Sequence, residues 1–216
     1  MDIKYNEDFN ILIVKDLFGK DINEKMFKEA INLKEFYEQS TISVPAKTLK
    51  TYRTNTVAYP DNIFNGRRHE SDILKNVDLM LTDSKISDML KTIKEPLGLL
   101  GETNYNETQI SRYGDDGQEY KFHKDKFNGV GRLISFVYYI NKTPKKYTGG
   151  DITFSKSPVL DNGDLLDTKA SSITLTPENN MGVFFPSSLI HGVMPTKSPT
   201  EFDDGRFSLN CWVGIK

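Results

Sequence analysis

A mainly β chain with supporting helices, α+β in class, is what the 216-residue sequence predicts, on two observations. From Asn104 to the C-terminus, short β-branched and aromatic runs recur between Gly, Pro, Asn and Asp, the pattern of strands and turns. Before Asn104, apolar residues recur instead at the three- and four-residue spacing of amphipathic helices. In order, a short apolar strand at 11–14 precedes a helix over 22–39, where Met26, Ala30, Leu33 and Phe36 repeat at helical spacing. A second helical region covers 71–95, with Ile73, Val77, Met80 and Leu81 in one stripe and Ile86, Leu90 and Ile93 in another; Pro96 and Gly98 end it. Between the helices, 41–70 is rich in Thr, Asn, Pro and Arg with scattered Tyr and Phe, an extended or looping stretch placed to cover a site. Strands are expected at 107–113, 119–125, 132–140, 151–155, 172–175, 181–185, 189–194 and 205–214, a set that suits two packed sheets or a barrel. The stretch 156–170, with Pro158 and Asn162-Gly163, reads as an exposed loop.

No internal repeat divides the chain, and one domain of this length buries a substantial core without disulfides. The single cysteine, Cys211, lies among Leu209, Trp212 and Val213 and reads as a buried thiol in a reducing compartment, which makes the cytoplasm the expected location. The N-terminus lacks the basic region and apolar run of a secretory signal, and no stretch approaches the ~20 apolar residues of a membrane span. A formal net charge of −2 argues against a broad nucleic-acid-binding surface. Arg53, Arg67, Arg68 and His69 make a local basic segment, read as a solvated loop ahead of a nucleic-acid contact.

The chemistry-bearing residues are His123, Asp125 and His191. Two histidines and one carboxylate can occupy one face of a metal and leave the rest open, which points to non-heme iron(II) and dioxygen. His123 and Asp125 stand at i and i+2, so on a strand both project to the same face. The three open positions fit a bidentate co-substrate and dioxygen. For 2-oxoglutarate, the remote C5 carboxylate then needs a buried cation, and the planar fork of an arginine suits it best. The last strand supplies one: alternation puts Arg206, Ser208, Asn210 and Trp212 on one face, with Phe207, Leu209, Cys211 and Val213 on the other. An inward arginine is costly to bury unpaired, which points to a carboxylate ligand; an edge-strand arginine facing water is the alternative. Tyr139, which shares a face with Ser135 and Val137, could add a hydroxyl donor to that carboxylate; core packing is the alternative for Tyr139 and for its neighbour Tyr138.

Ser111-Arg112-Tyr113-Gly114, Gly117 through Asp125, Arg132 to Asn141, Gly149-Gly150-Asp151-Ile152-Thr153-Phe154, Pro186, His191-Gly192-Val193-Met194-Pro195 and Arg206 through Trp212 together resemble the prolyl 4-hydroxylase-like family of iron(II)/2-oxoglutarate dioxygenases, its hypoxia-type prolyl hydroxylase branch in particular. The resemblance covers 104–216 and implies a double-stranded β-helix (jelly roll) core with the N-terminal helices packed on one sheet. Residues 1–216 then form a single domain, with 1–103 as helical support and a substrate-covering loop and 104–216 as the dioxygenase core. It implies that His123, Asp125 and His191 bind iron, that Arg206 and Tyr139 hold the C5 carboxylate of 2-oxoglutarate, and that Tyr113, Trp212 and Ser208 line the same pocket. The chain departs from the family's usual spacing between second histidine and basic residue, since position 201 is Glu and 198–205 looks inserted. Lys197 is therefore a rival cation, disfavoured by its loop-like surroundings.

The implied activity is hydroxylation of a C–H bond, foremost on a prolyl residue of a peptide or protein, with 2-oxoglutarate decarboxylated to succinate and CO2 and ascorbate as an optional reductant. Residues 41–70, with Tyr52, Arg53, Tyr59 and Arg67, and the loop 156–170 are the expected substrate contacts. Hydroxylation of a free amino acid or other small molecule, oxidative demethylation of nucleic acid, and a non-catalytic jelly-roll metal- or ligand-binding protein are the alternatives; the near-neutral charge weighs against nucleic acid.

Overall fold

The computed structural model describes residues 1–40, 52–91, 93, 105–126, 131–198 and 201–214. Strands β1 (Asp2–Asn6) and β2 (Ile11–Lys15) form a hairpin, followed by helix α1 (Lys20–Asn32), strands β3 (Glu38–Gln39) and β4 (Thr56–Ala58), and helices α2 (Pro60–Ile63), α3 (Asp72–Thr82) and α4 (Ser84–Leu90). The β half follows as β5 (Tyr105–Tyr113), β6 (Tyr120–His123), β7 (Arg132–Tyr139), β8 (Thr148–Gly149), β9 (Ile152–Ser155), β10 (Ser172–Leu175), β11 (Met181–Pro186), β12 (Ile190–Val193), β13 (Thr196–Lys197) and β14 (Arg206–Gly214).

Two sheets carry the fold: an eight-stranded one in the order β1-β2-β11-β7-β14-β5-β4-β3 and a four-stranded one in the order β10-β9-β12-β6. All the strand pairs in both are antiparallel. Alternation along the strands of the large sheet builds two cores. Leu12, Val14, Ile134, Phe136, Tyr138, Phe184, Phe207, Leu209 and Cys211 face the helices, where Met26, Ala30, Ile73 and Val77 meet them. Ile11, Ile13, Val137, Tyr139, Met181, Val183 and Phe185 face Ile152 and Phe154 of the small sheet. This is the jelly-roll arrangement, with helices on one sheet and a cavity between the two.

The eight strands expected in the β half all form, within two residues of their expected ends. The N-terminal half differs more. It supplies four strands to the large sheet, where the sequence suggested one, because β1 follows a plain polar alternation and β3 and β4 are too short to show a period. The first helix stops at Asn32, one turn plus a 3-10 segment short of residue 39. Tyr37 leaves the helical path, donates its hydroxyl to the Ala30 carbonyl at 3.1 Å and packs edge-on against Phe202 and Phe207, while Phe36 is left exposed. The second helical region breaks at Asp83, whose carboxylate accepts the amides of Lys85 and Ile86 and starts α4; Ser71 does the same for α3 through the Leu74 amide. Pro96 and Gly98 lie outside the described residues.

Cys211 is buried and unpaired, and burial pushes its thiol up to about 12. No helix among the described residues is long and apolar enough to cross a membrane.

Candidate metal and co-substrate site

His123 ends β6 and His191 lies in β12, and the two strands pair so that these residues are direct cross-strand partners. Their ring centres are 4.3 Å apart. Asp125 lies just beyond β6 in a bend, so the shared face expected from i, i+2 spacing on a strand is not what brings the carboxylate in. The bend is anchored instead: the Lys126 amide donates to the Ser187 carbonyl at 2.8 Å, and Ser135 of β7 donates its hydroxyl to Asp125 Oδ2 at 2.6 Å. One ligand atom from each of the three residues lies within 4.8 Å of the others, and all three side chains are buried.

Protonation suits metal binding. The Nδ1 atoms of His123 and His191 stand 2.8 and 3.0 Å from the carbonyls of Lys121 and Leu189, which requires the N–H on Nδ1 and leaves each Nε2 lone pair free. Those Nε2 atoms face Asp125, at 3.5 and 3.6 Å from its oxygens. Burial alone would raise the Asp125 carboxyl, but His191, His123 and the Ser135 hydroxyl hold it well below the usual carboxylate range. Burial and the neighbouring His123 push His191 down to about 4, against the pull of Asp125. An anionic carboxylate and a neutral imidazole are the forms that ligate a divalent metal.

A proton is therefore bound by His191 more readily in the unfolded chain than in the folded one between pH 4 and 6.5. The metal-free protein is expected to gain stability as pH rises through that window, by up to about 3 kcal/mol, and to level off above it. Denaturant unfolding at several pH values checks this, with His191→Phe expected to flatten the profile.

A cavity of about 780 Å³ runs from the triad along β14. Side chains of β14 meet their neighbours in register: Arg206 opposite Tyr113, Ser208 between Ser111 and Tyr139, Asn210 between Gln109 and Val137, Trp212 between Glu107 and Ser135. Arg206 is 1% exposed. Its Nε donates to the Gly150 carbonyl at 2.7 Å, its Nη1 to Ser208 at 3.3 Å, and its guanidinium lies 4.8 and 5.1 Å from the ring centres of Tyr113 and Tyr139. Gly150, at φ +69°, has no room for a Cβ, which would stand 2.5 Å from Arg206 Cδ. That close approach is why a glycine is needed there.

Three buried polar atoms in this neighbourhood have no hydrogen-bond partner among the described residues: Arg206 Nη2 and the hydroxyls of Tyr139 and Tyr147. Both tyrosines are within the electrostatic reach of Arg206. Leaving a cationic donor and two phenols unsatisfied costs roughly 1–3 kcal/mol each, and a carboxylate has the four lone-pair sites that would take all three. These donors thus fit a carboxylate beside Arg206, in the cavity that the triad also lines. Lys197, the rival cation, is exposed, whereas Arg206 is buried and lines the cavity.

Of the other residues singled out from sequence, Tyr113 and Ser208 flank Arg206. Trp212 lines the same cavity but lies six residues along β14, about 20 Å from Arg206 in an extended strand, nearer the triad end. There Arg132 stacks on it at 3.9 Å and pairs with Glu107 at 2.7 Å. Tyr52, Arg53, Tyr59, Val159, Leu160 and Asp161 also line the cavity, whereas Arg67 is exposed and paired with Glu70. The basic segment does not form a phosphate-binding patch: Arg68 is held by Asp61 and Asp78, and Arg53 is buried. The sequence pattern does not single out Tyr147, Tyr120 or Ser135 as site residues. Tyr147 carries no strand pattern, though its place two residues before Gly149-Gly150 was a usable signal.

A family model for the 2OG-Fe(II) oxygenase superfamily matches residues 108–214. An uncharacterized PKHD-type hydroxylase of Synechocystis is 28% identical over 215 residues, an alignment covering 94% of this chain; the chain spans only 62% of that relative's length. Among solved structures, a prolyl-4-hydroxylase of Pseudomonas putida superposes with TM-score 0.63 at 20% identity, covering 96% of this chain and 94% of the other. A prolyl hydroxylase of Trichoplax adhaerens, solved with a peptide fragment of the hypoxia inducible factor oxygen degradation domain, gives TM-score 0.63 at 16% identity, covering 95% and 83%.

Proposed function

We propose that the chain, whose residues 108–214 match the 2OG-Fe(II) oxygenase superfamily, is an iron(II)- and 2-oxoglutarate-dependent dioxygenase that hydroxylates a prolyl residue of a peptide or protein. The observation that carries the enzyme reading is the pairing of two ends of one cavity: a ligand-ready His-Asp-His triad and a buried arginine whose Nη2 lacks a partner. Iron held by His123, Asp125 and His191 would supply dioxygen activation, with 2-oxoglutarate giving up two electrons as it becomes succinate and CO2.

The chain's own residues do the rest. The carbonyls of Lys121 and Leu189 fix both imidazole tautomers, and Ser135, itself bonded to Ser187 at 2.9 Å, fixes the carboxylate. Phe154 and Phe185 pack on the His191 ring and keep water from that side. Arg206, Tyr139 and Tyr147 bind the distal carboxylate, with Ser208 and the Gly150 carbonyl holding the guanidinium. Tyr113 supplies a π face to the same cation.

The cavity is larger than a five-carbon diacid requires, which leaves a substrate chamber between Tyr52, Tyr59, Tyr120 and Trp212. Aromatic faces around that chamber suit a saturated ring such as proline. The prolyl hydroxylases among the structural neighbours support the prolyl reading. A free buried thiol at Cys211 supports a reducing, cytoplasmic setting.

Anaerobic addition of iron(II) and 2-oxoglutarate tests the cofactor assignment. A weak visible charge-transfer band is expected, and its absence overturns the assignment. A peptide screen for 2-oxoglutarate-coupled gain of one oxygen tests the substrate; gain on free amino acids alone overturns the peptidyl reading. Tyr147→Phe is expected to raise the 2-oxoglutarate KM by about tenfold, the value of one hydrogen bond to a charged group. Steady-state kinetics at saturating iron check it, with kcat expected to stay within about twofold of the parent.

A further inference from the structure

We propose that Arg53 is a positioning residue for the metal site, holding the ligand His123 in place through the ring of Tyr120; the proposal rests on reading the triad as an iron site. Arg53 precedes β4, forms an isolated antiparallel bridge with Tyr120 and is only 6% exposed. Its guanidinium carbon lies 4.6 Å from the centre of the Tyr120 ring. The other side of the stack is the metal ligand: the rings of Tyr120 and His123 are 3.6 Å apart and 16° from parallel. Cation, phenol and imidazole therefore form one pile.

Arg53 is held firmly enough to transmit a position. Its Nε donates to Asn55 at 2.9 Å and its Nη2 to Gln109 at 2.5 Å and Ser111 at 3.1 Å. All three acceptors are neutral, and a buried guanidinium with no bonded carboxylate among the described residues is costly unless its remaining face is used. That face covers Tyr120, in the desolvated setting where a cation over a ring counts most.

The strand being held needs support. β6 is an edge of the four-stranded sheet, and its pairing with β12 is irregular, with only His123 and Tyr120 in register. Residues 52–54 run along its other side. The Thr54 amide donates to the Glu119 carbonyl at 3.1 Å, the Glu119 amide to the Thr54 hydroxyl at 2.8 Å, and the Tyr52 hydroxyl to the Phe122 carbonyl at 2.6 Å. Immediately after, β4 joins β5 of the large sheet. Residues 52–58 thus clip the two sheets together beside His123, and Arg53 is the point at which the clip presses on the ligand. Ligation needs the imidazole ring plane fixed, and Nδ1 bonding to the Lys121 carbonyl leaves rotation about that bond to be restrained by the stack.

Cobalt(II) binding to the full chain, followed anaerobically by its visible d–d spectrum, tests this without turnover. Arg53→Met is expected to weaken cobalt about tenfold, the lower end of what losing a ligand's supporting contact costs, and to alter the spectrum. Arg53→Lys, which restores a cation over the ring, is expected to recover affinity to within about threefold. Tyr120→Leu should reproduce Arg53→Met, and the double variant should bind no more weakly than Tyr120→Leu alone. Additive losses would mean that Arg53 does not act through Tyr120 and would overturn the proposal. Should Arg53→Met fail to fold, Tyr120→Phe and Tyr120→Leu read the same stack: retained affinity in the first and loss in the second support it, and equal affinity in both overturns it. Asp125→Ala separates the two levels. If it binds cobalt as the parent does, the triad assignment fails; if it loses cobalt while Arg53→Met keeps parental affinity and spectrum, the triad stands and the role of Arg53 falls.

Discussion

Asp125→Ala is expected to abolish 2-oxoglutarate-dependent succinate formation while leaving the fold in place. Asp125 provides the only negative charge of the triad and faces both Nε2 atoms. Without it two neutral imidazoles remain, and iron(II) affinity is expected to fall by well over the roughly 100-fold that loss of a ligand's outer partner can cost. The backbone there does not depend on the carboxylate, because the Lys126 amide to Ser187 carbonyl bond and the His191–His123 pairing hold the bend and strand. Iron titration, succinate release and far-ultraviolet circular dichroism check the three parts. Near-normal turnover in a folded Asp125→Ala protein would falsify the metal assignment.

Arg206→Met is expected to raise the 2-oxoglutarate KM by about 100-fold, corresponding to the ~3 kcal/mol that truncating one partner of a buried charge pair costs. Iron binding should survive, because Arg206 contacts Gly150, Ser208, Tyr113 and Tyr139 and none of the three metal ligands. The anaerobic charge-transfer band should accordingly reappear at high 2-oxoglutarate. Lys197→Ala serves as the control: an exposed residue on β13 should leave KM unchanged. A KM shift in Lys197→Ala with none in Arg206→Met would reverse the assignment of the cation.

Much of this arrangement was legible in the sequence, and the parts that were not share a cause. Period-two alternation exposed the two faces of β14 and β7, because one face of the large sheet is buried on the helices and the other on the small sheet and the cavity. It therefore told Arg206 from Phe207 and Tyr139 from Tyr138. The end of α1 was misread because Phe36 continues the helical spacing, while the contact that ends the helix, Tyr37 on Phe202 and Phe207, lies some 170 residues away in the chain. The same holds for Tyr120 and Tyr147. Their roles come from Arg53 and Arg206, which only the folded chain brings to them. Asp125 was correctly grouped with His123, but for a reason the strand pattern did not contain, the hydroxyl of Ser135.

The large sheet is finished at both margins by the first 58 residues: β2 covers the free side of β11, and β4 covers the free side of β5. The superfamily match begins at residue 108, inside β5. A fragment trimmed to that match would carry two long strands with open backbone on their outer sides, and its helix-facing surface of Phe136, Tyr138, Phe184, Phe207 and Leu209 would be bare. The matched segment is thus a template for self-association when cut free. In this chain the N-terminal arm closes both of those edges, and the same arm places Arg53 over the Tyr120 ring.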